Sequence, residues 1–167
     1  VGHKGRNNLI KNLVNDLTGN TLVLFNYVEK HGEPLYELIN SIIDPERKLF
    51  FVHGGTDVED REEVRLITET ENNAVIIASY GTFSTGINIK RLHNIVFASP
   101  SKSRIRNLQS IGRVLRKGEG KDIATLYDIA DDIGGQNYTL RHLNERVNIY
   151  NDENFKYEVI RVNLRAN

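Results

Sequence analysis

Five short, nearly unbroken apolar runs constrain this chain more than any other feature. TLVLFNY at 21–27, KLFFVH at 48–53, AVIIAS at 74–79, NIVFAS at 94–99 and IATLYDIA at 123–130 all have strand length, and a strand without polar alternation is one that buries both faces. Helical patterns lie between them. Leu9, Ile10, Leu13, Val14 and Leu17 recur at helical spacing before Gly19, so residues 5–18 read as an amphipathic helix with glycine as its stop. Glu33 to Ile43 alternates in the same way, and Thr56 with Glu59 has the spacing of a capping box opening a helix to about Glu69. Strands alternating with helices predict an α/β fold, a mostly parallel sheet covered on both faces. Ligands of such sheets gather beyond the carboxyl ends of the strands, here the loops after Tyr27, His53, Ser79 and Ser99. Past Gly135, Leu140, Leu143, Val147 and Tyr150 mark a further helix, and FKYEVIRVNL from Phe155 is strand-like. The division expected is a leading helix at 1–20 on an interdomain junction, the α/β domain at 21–135, and a helix and strand at 136–167 packed on it.

A chain of 167 residues, 39% hydrophobic, supplies one core rather than two. It has no apolar run of about 18 residues, the length a membrane span needs, and its polar, basic start lacks the apolar stretch of a signal peptide. A soluble, cytoplasmic location is therefore expected. Without cysteine, and with histidines at 3, 31, 53, 93 and 142 in no paired spacing, a structural metal site is not expected. His31 and His53 read as structural, and Tyr127, inside a strand, as core.

The net charge is zero but unevenly spread. Between Ser101 and Lys121 seven basic residues, Lys102, Arg104, Arg106, Arg113, Arg116, Lys117 and Lys121, face Glu119 alone, so this segment carries +6 and the remainder −6. A positive stripe on an acidic body suits an anionic partner. Within it, Gln109, Gly112, Arg113 and Arg116 share one sector of a helix at 100° per residue, whereas Leu108, Ile111 and Leu115 fall on another. An arbitrary Arg-x-x-Arg is a solvated face; Gln109 and Gly112 in register set this one apart. Arginine suits phosphate because its planar fork donates two hydrogen bonds and its charge does not titrate away.

QSIGRVLR at 109–116 resembles motif VI of superfamily 2 helicases, Q-x-x-G-R-x-x-R. In the family's order, LVLFNYVEKHG at 22–32 resembles motif IV, FVHGGTDVEDREEV at 51–64 the segment before motif V, and IIASYGTFSTGINI at 76–89 motif V. The Tyr80–Ile87 loop and the IGRVLRK helix look similar to recombination and repair helicases of tailed phages. The match runs from about Thr21 to Ala130 and implies a RecA-like domain, the C-terminal half of an ATP-dependent DNA motor that acts on forks and junctions and translocates 3′ to 5′.

Carried over by position, the resemblance implies that Arg116 is the arginine finger reaching the γ-phosphate of ATP, that Arg113 makes a second phosphate or interdomain contact, and that Gln109 couples this helix to the cleft. Gly112 admits the nucleotide. Gly86 and Asn88 match the Gly-x-Asp that touches the ribose, although Asn88 departs from the acidic residue. Ser79, Thr82 and Thr85 offer hydroxyls to DNA phosphates, with Thr82 preferred, and Asn26, Lys30, Gly54 and Gly55 line the rest of the DNA track. ATP and Mg²⁺ would be held mainly by an N-terminal RecA-like domain, because this chain has no G-x-x-x-x-G-K-[ST] loop and no Asp-Glu pair in the position that holds magnesium. The expected partners are that domain and single-stranded or branched DNA, with no membrane. Two other readings remain: a non-catalytic adaptor that kept the fold as a docking module, and a doubly wound small-molecule enzyme, which needs a glycine-rich first turn that Phe25-Asn-Tyr-Val-Glu-Lys-His does not provide.

Overall fold

The computed structural model describes residues 4–84, 92–98 and 125–129. Helix α1 (Lys4–Asp16) leads into β1 (Thr21–Phe25), a π-helical turn (Val28–Gly32), α2 (Glu33–Ile42), β2 (Leu49–Val52), α3 (Val58–Thr70), β3 (Val75–Ser79), the short α4 (Tyr80–Ser84), β4 (Asn94–Phe97) and β5 (Thr125–Asp128). The strands form one sheet in the order β2-β3-β1-β4-β5, and every pairing is parallel. The basic helix expected at 103–116 and the elements expected after Gly135 lie outside the described residues.

Period-two geometry divides the apolar runs between the two faces. Leu22, Leu24, Ile76, Ala78, Ile95 and Phe97 meet Val52 and Tyr80 on one face, where Val64 of α3 packs. Val23, Phe25, Val75, Ile77 and Val96 meet Ile10 and Val14 of α1 and Leu35 and Ile39 of α2 on the other. Each Val, Leu, Ile or Phe among them, once fully buried, contributes about 1.5–3 kcal/mol relative to exposure. The unbroken hydrophobicity of the runs follows from helices covering both sides. Tyr127 of β5 is partly buried against the second cluster.

Three local expectations are corrected. Thr56 does not cap α3: its Oγ1 accepts from His53 N at 3.1 Å while its own N–H donates to His53 O at 3.0 Å, closing a turn, and Asp57 stands at the helix start without a side-chain cap bond. The run at 21–27 leaves the sheet after Phe25, because the backbone at Tyr27 turns into the π helix, whose His31 and Gly32 N–H groups both donate to Tyr27 O at 3.0 and 2.9 Å. The glycine-rich segment after β3 begins as helix α4.

The amino edge of the sheet is stapled shut. Asn20 is fully buried; its Nδ2 donates to Glu71 O at 2.7 Å and Thr68 O at 3.2 Å, and its Oδ1 accepts from Ala74 N at 2.9 Å. Arg47 donates to the carbonyls of Asn73 at 2.9 Å, Val14 at 3.0 Å and Gly19 at 3.4 Å. Gly19 has φ +94°, and a Cβ there would stand 2.7 Å from that of His93, so conformation and space both require glycine. A cavity of about 490 Å³ beside α2 and β2 includes Asp44, Arg47 and Lys48 in its lining. Its charges are already engaged, Arg47 as above, Lys48 with Glu71 at 2.7 Å and Asp44 with Glu46 N at 2.9 Å.

Candidate functional site

The carboxyl edge is different. The register aligns Val52 with Ala78, Ala78 with Leu24, and Leu24 with Phe97, so the four strands end within one residue of one another. Strand order then brings together what the sequence separates: His53-Gly54-Gly55 after β2, Ser79 to Thr82 at the end of β3, and Asn26 to Lys30 after β1 stand side by side on adjacent strands. Of the residues expected to touch DNA, Asn26, Lys30, Gly54, Gly55, Ser79 and Thr82 all fall in this row.

Gly54 and Gly55 cross an exposed turn. A Cβ on Gly54 would meet nothing within 4 Å, whereas one on Gly55 would stand 2.9 Å from the His53 ring. Nδ1 of that ring accepts from Gly55 N at 3.0 Å, so His53 shapes the turn. Ser79 and Thr82 act as a pair: their hydroxyls lie 2.6 Å apart, and Thr82 N donates to Ser79 Oγ at 3.3 Å, an N-cap-type contact that starts α4. Thr82 is only 3% exposed, and Ser79 is the more accessible member.

After β1 the π turn is held from behind. Gly32 presses on Phe25 so closely that a Cβ would come 2.5 Å from its ring. His31 is fully buried, with Nε2 3.2 Å from Oδ1 of Asn7 on α1. Burial, reinforced by the nearby Arg6 charge, lowers its pKa from 6.5 to about 4, so the ring is neutral at pH 7. This matches its structural reading. Lys30 is exposed on the outer side of the turn.

Arg6 had given no signal in the sequence. Its guanidinium is buried and donates to Ala98 O beyond β4 and to Ile129 O at 3.4 Å beyond β5. The helix expected at an interdomain junction thus ties the ends of two strands of this domain, and only the tertiary approach of residues 92 and 123 positions away could have revealed it. Among the described residues no group of three or more His, Cys, Asp or Glu side chains is placed to hold a metal ion, and no described helix is long and apolar enough to cross a membrane.

Residues 5–118 match the helicase conserved C-terminal domain. The chain belongs to that helicase family. The helicase domain is 40% identical over 158 residues to the ATP-dependent DNA helicase uvsW of Enterobacteria phage T4, an alignment covering 87% of this chain and 31% of that protein. The crystal structure of T4 UvsW superposes with a TM-score of 0.79 at 38% identity, covering 98% of this chain and 36% of that one. The C-terminal domain of the DEAD-box protein Dbp5 superposes with a TM-score of 0.70 at 13% identity, over 90% of this chain and 81% of that one, a likeness of fold alone. The fold is therefore the RecA-like domain of superfamily 2 helicases, and the chain spans about a third of the length of its UvsW relative. Within the helicase domain, Thr85, Gly86, Asn88, Gln109, Gly112, Arg113 and Arg116 lie outside the described residues.

Proposed function

We propose that this chain is the C-terminal motor domain of an ATP-dependent superfamily 2 DNA helicase or translocase that acts on branched DNA in recombination, replication or repair. One observation carries the DNA half of the reading. The loops after β2, β3 and β1, with glycines in the first, hydroxyls in the second and Asn26 and Lys30 in the third, stand side by side on one sheet edge. A row of this kind lets backbone N–H groups and hydroxyls follow successive phosphates, contacts that position a strand without reading its sequence. Thr82, being buried, acts through Ser79, whose hydroxyl it holds; Asn26, Lys30, Gly54 and Gly55 complete the track, with Thr85 beyond.

The ATP half rests on QSIGRVLR. Arg116 stabilises charge on the transferring γ-phosphoryl group, Arg113 makes a second phosphate contact, Gln109 couples their helix to the cleft, and Gly86, Asn88 and Gly112 border the nucleotide. Mg²⁺ and the β- and γ-phosphates of ATP would be held mainly by an N-terminal RecA-like domain, and the cleft between the two would open and close with each turnover. Magnesium, when bound there, neutralises phosphate charge. The setting is the cytoplasm, that of the host cell if the protein is phage-encoded.

The two halves are separable in the full-length protein. Gly54→Asp places a carboxylate where a side chain has open space, so it should weaken single-strand binding while leaving nucleotide binding intact. Arg116→Ala should lower DNA-stimulated ATP hydrolysis by on the order of 10³ with both binding steps retained. Arg116→Lys should be similarly impaired, since it keeps the charge but loses the fork. Turnover by Arg116→Ala above roughly a tenth of the parent's would contradict the finger assignment.

A further inference from the structure

We propose that Tyr27 is a stacking platform for a nucleobase of the bound strand, so that this half of the motor grips a base as well as phosphates. The proposal rests on the DNA track described above and adds to it a contact of a different kind. Read from the sequence, Tyr27 closes a buried strand; in the structure it is 57% exposed. Tyr80 is buried against Phe97, while Tyr36 and Tyr127 pack on the core. Among the described aromatic side chains, Tyr27 alone stands outside both core clusters and every ring contact.

Its place and its mounting both favour a base. Tyr27 follows Asn26 and precedes the exposed Lys30, and β1 is hydrogen-bonded to β3, whose carboxyl end carries the Ser79–Thr82 pair. An aromatic face between a cation and phosphate-binding groups is the arrangement with which proteins hold single strands, since every base offers a π face. The mounting is stiff. Tyr27 O accepts from both His31 N and Gly32 N, Gly32 is wedged on Phe25, and His31 is tied to Asn7. A backbone already fixed where the ring is carried has less freedom to lose on binding, which favours affinity. A π turn is uncommon and recurs at functional sites; here it lets the chain leave β1 with one aromatic side chain outward.

Equilibrium binding by the full-length protein to a labelled mixed-sequence single strand, and to an abasic deoxyribose-phosphate oligomer of the same length, tests this. Tyr27→Ala should weaken binding of the base-containing strand about five- to a hundredfold, change binding of the abasic oligomer less than about twofold, and be rescued by Tyr27→Phe. Equal loss on both ligands would mean that Tyr27 supports the turn, touches the backbone or packs on another domain; no loss on either would mean that it touches nothing. Either result overturns the stacking contact. Lys30→Glu and Gly54→Asp distinguish the two levels of the reading, because both should weaken both ligands. If they do and Tyr27→Ala does not, stacking alone fails; if none of the three has an effect, the track itself is misplaced.

Discussion

His31 shows how far a residue's role is set by its surroundings. In sequence it is one histidine between a lysine and a glycine; in the fold it is buried, neutral, and bonded to Asn7. Its pKa of about 4 lies below the ordinary 6.5 because burial, and then the Arg6 charge, oppose protonation. The unfolded chain therefore binds the extra proton first. Stability should fall as pH falls through 6.5, level off below about 4, and be fully present above 6.5. Urea unfolding of this domain at about pH 7 and about pH 5 should differ through this group by on the order of 1–2 kcal/mol, and His31→Gln should flatten that difference. An unchanged slope in the variant would show that His31 does not titrate differently in the two states.

At the scale of the element, the π turn after β1 depends on a glycine for space rather than for backbone freedom. Gly32 has φ −62°, which any residue adopts, but an added methyl would meet the fully buried Phe25 ring at 2.5 Å. That ring cannot retreat, since it stacks on Phe51 at 5.7 Å between centroids. Gly32→Ala should thus destabilise the domain by about 1–3 kcal/mol, the usual cost of overpacking. Gly54→Ala, in open space, should stay within about 0.5 kcal/mol of the parent. Denaturant midpoints of the two variants check the contrast; equal midpoints would remove the steric account of the turn. The hydroxyl pair of Ser79 and Thr82 belongs to this scale too, because neither residue alone explains why α4 starts where it does.

Across the whole molecule, the two edges of one sheet have opposite characters. The amino edge spends its polar groups on itself through Asn20 and Arg47, whereas the edge at β2, β3 and β1 leaves Gly54, Gly55, Lys30 and Tyr27 exposed beside the half-buried Ser79. Such an edge is suited to binding but does not supply the phosphate-binding loop that hydrolysis needs. The isolated chain should accordingly show no measurable ATP hydrolysis with or without DNA, and its DNA affinity should be weak and fall steeply with salt. Turnover by a rigorously purified preparation of this chain, abolished by Arg116→Ala within it, would contradict its assignment as half of a motor.

The apolar runs, the helical spacings between them and QSIGRVLR by themselves determined the α/β class, the parallel sheet and the family. Periodicity and motif order are local properties that survive in one dimension. Where local signals competed, the fold decided. The Thr56–Glu59 spacing fitted a capping box, but the Thr56 hydroxyl closes the turn on His53 instead. The run at 21–27 was apolar throughout, yet the double hydrogen bond to Tyr27 O turned its end out of the sheet. The roles of Arg6, Asn20 and Arg47 were illegible because each depends on carbonyls far away in the sequence. That Gly54, Ser79 and Asn26 share one edge was legible from the strand ends and the family resemblance, but which loop neighbours which follows from the order β2-β3-β1, a feature of no single loop.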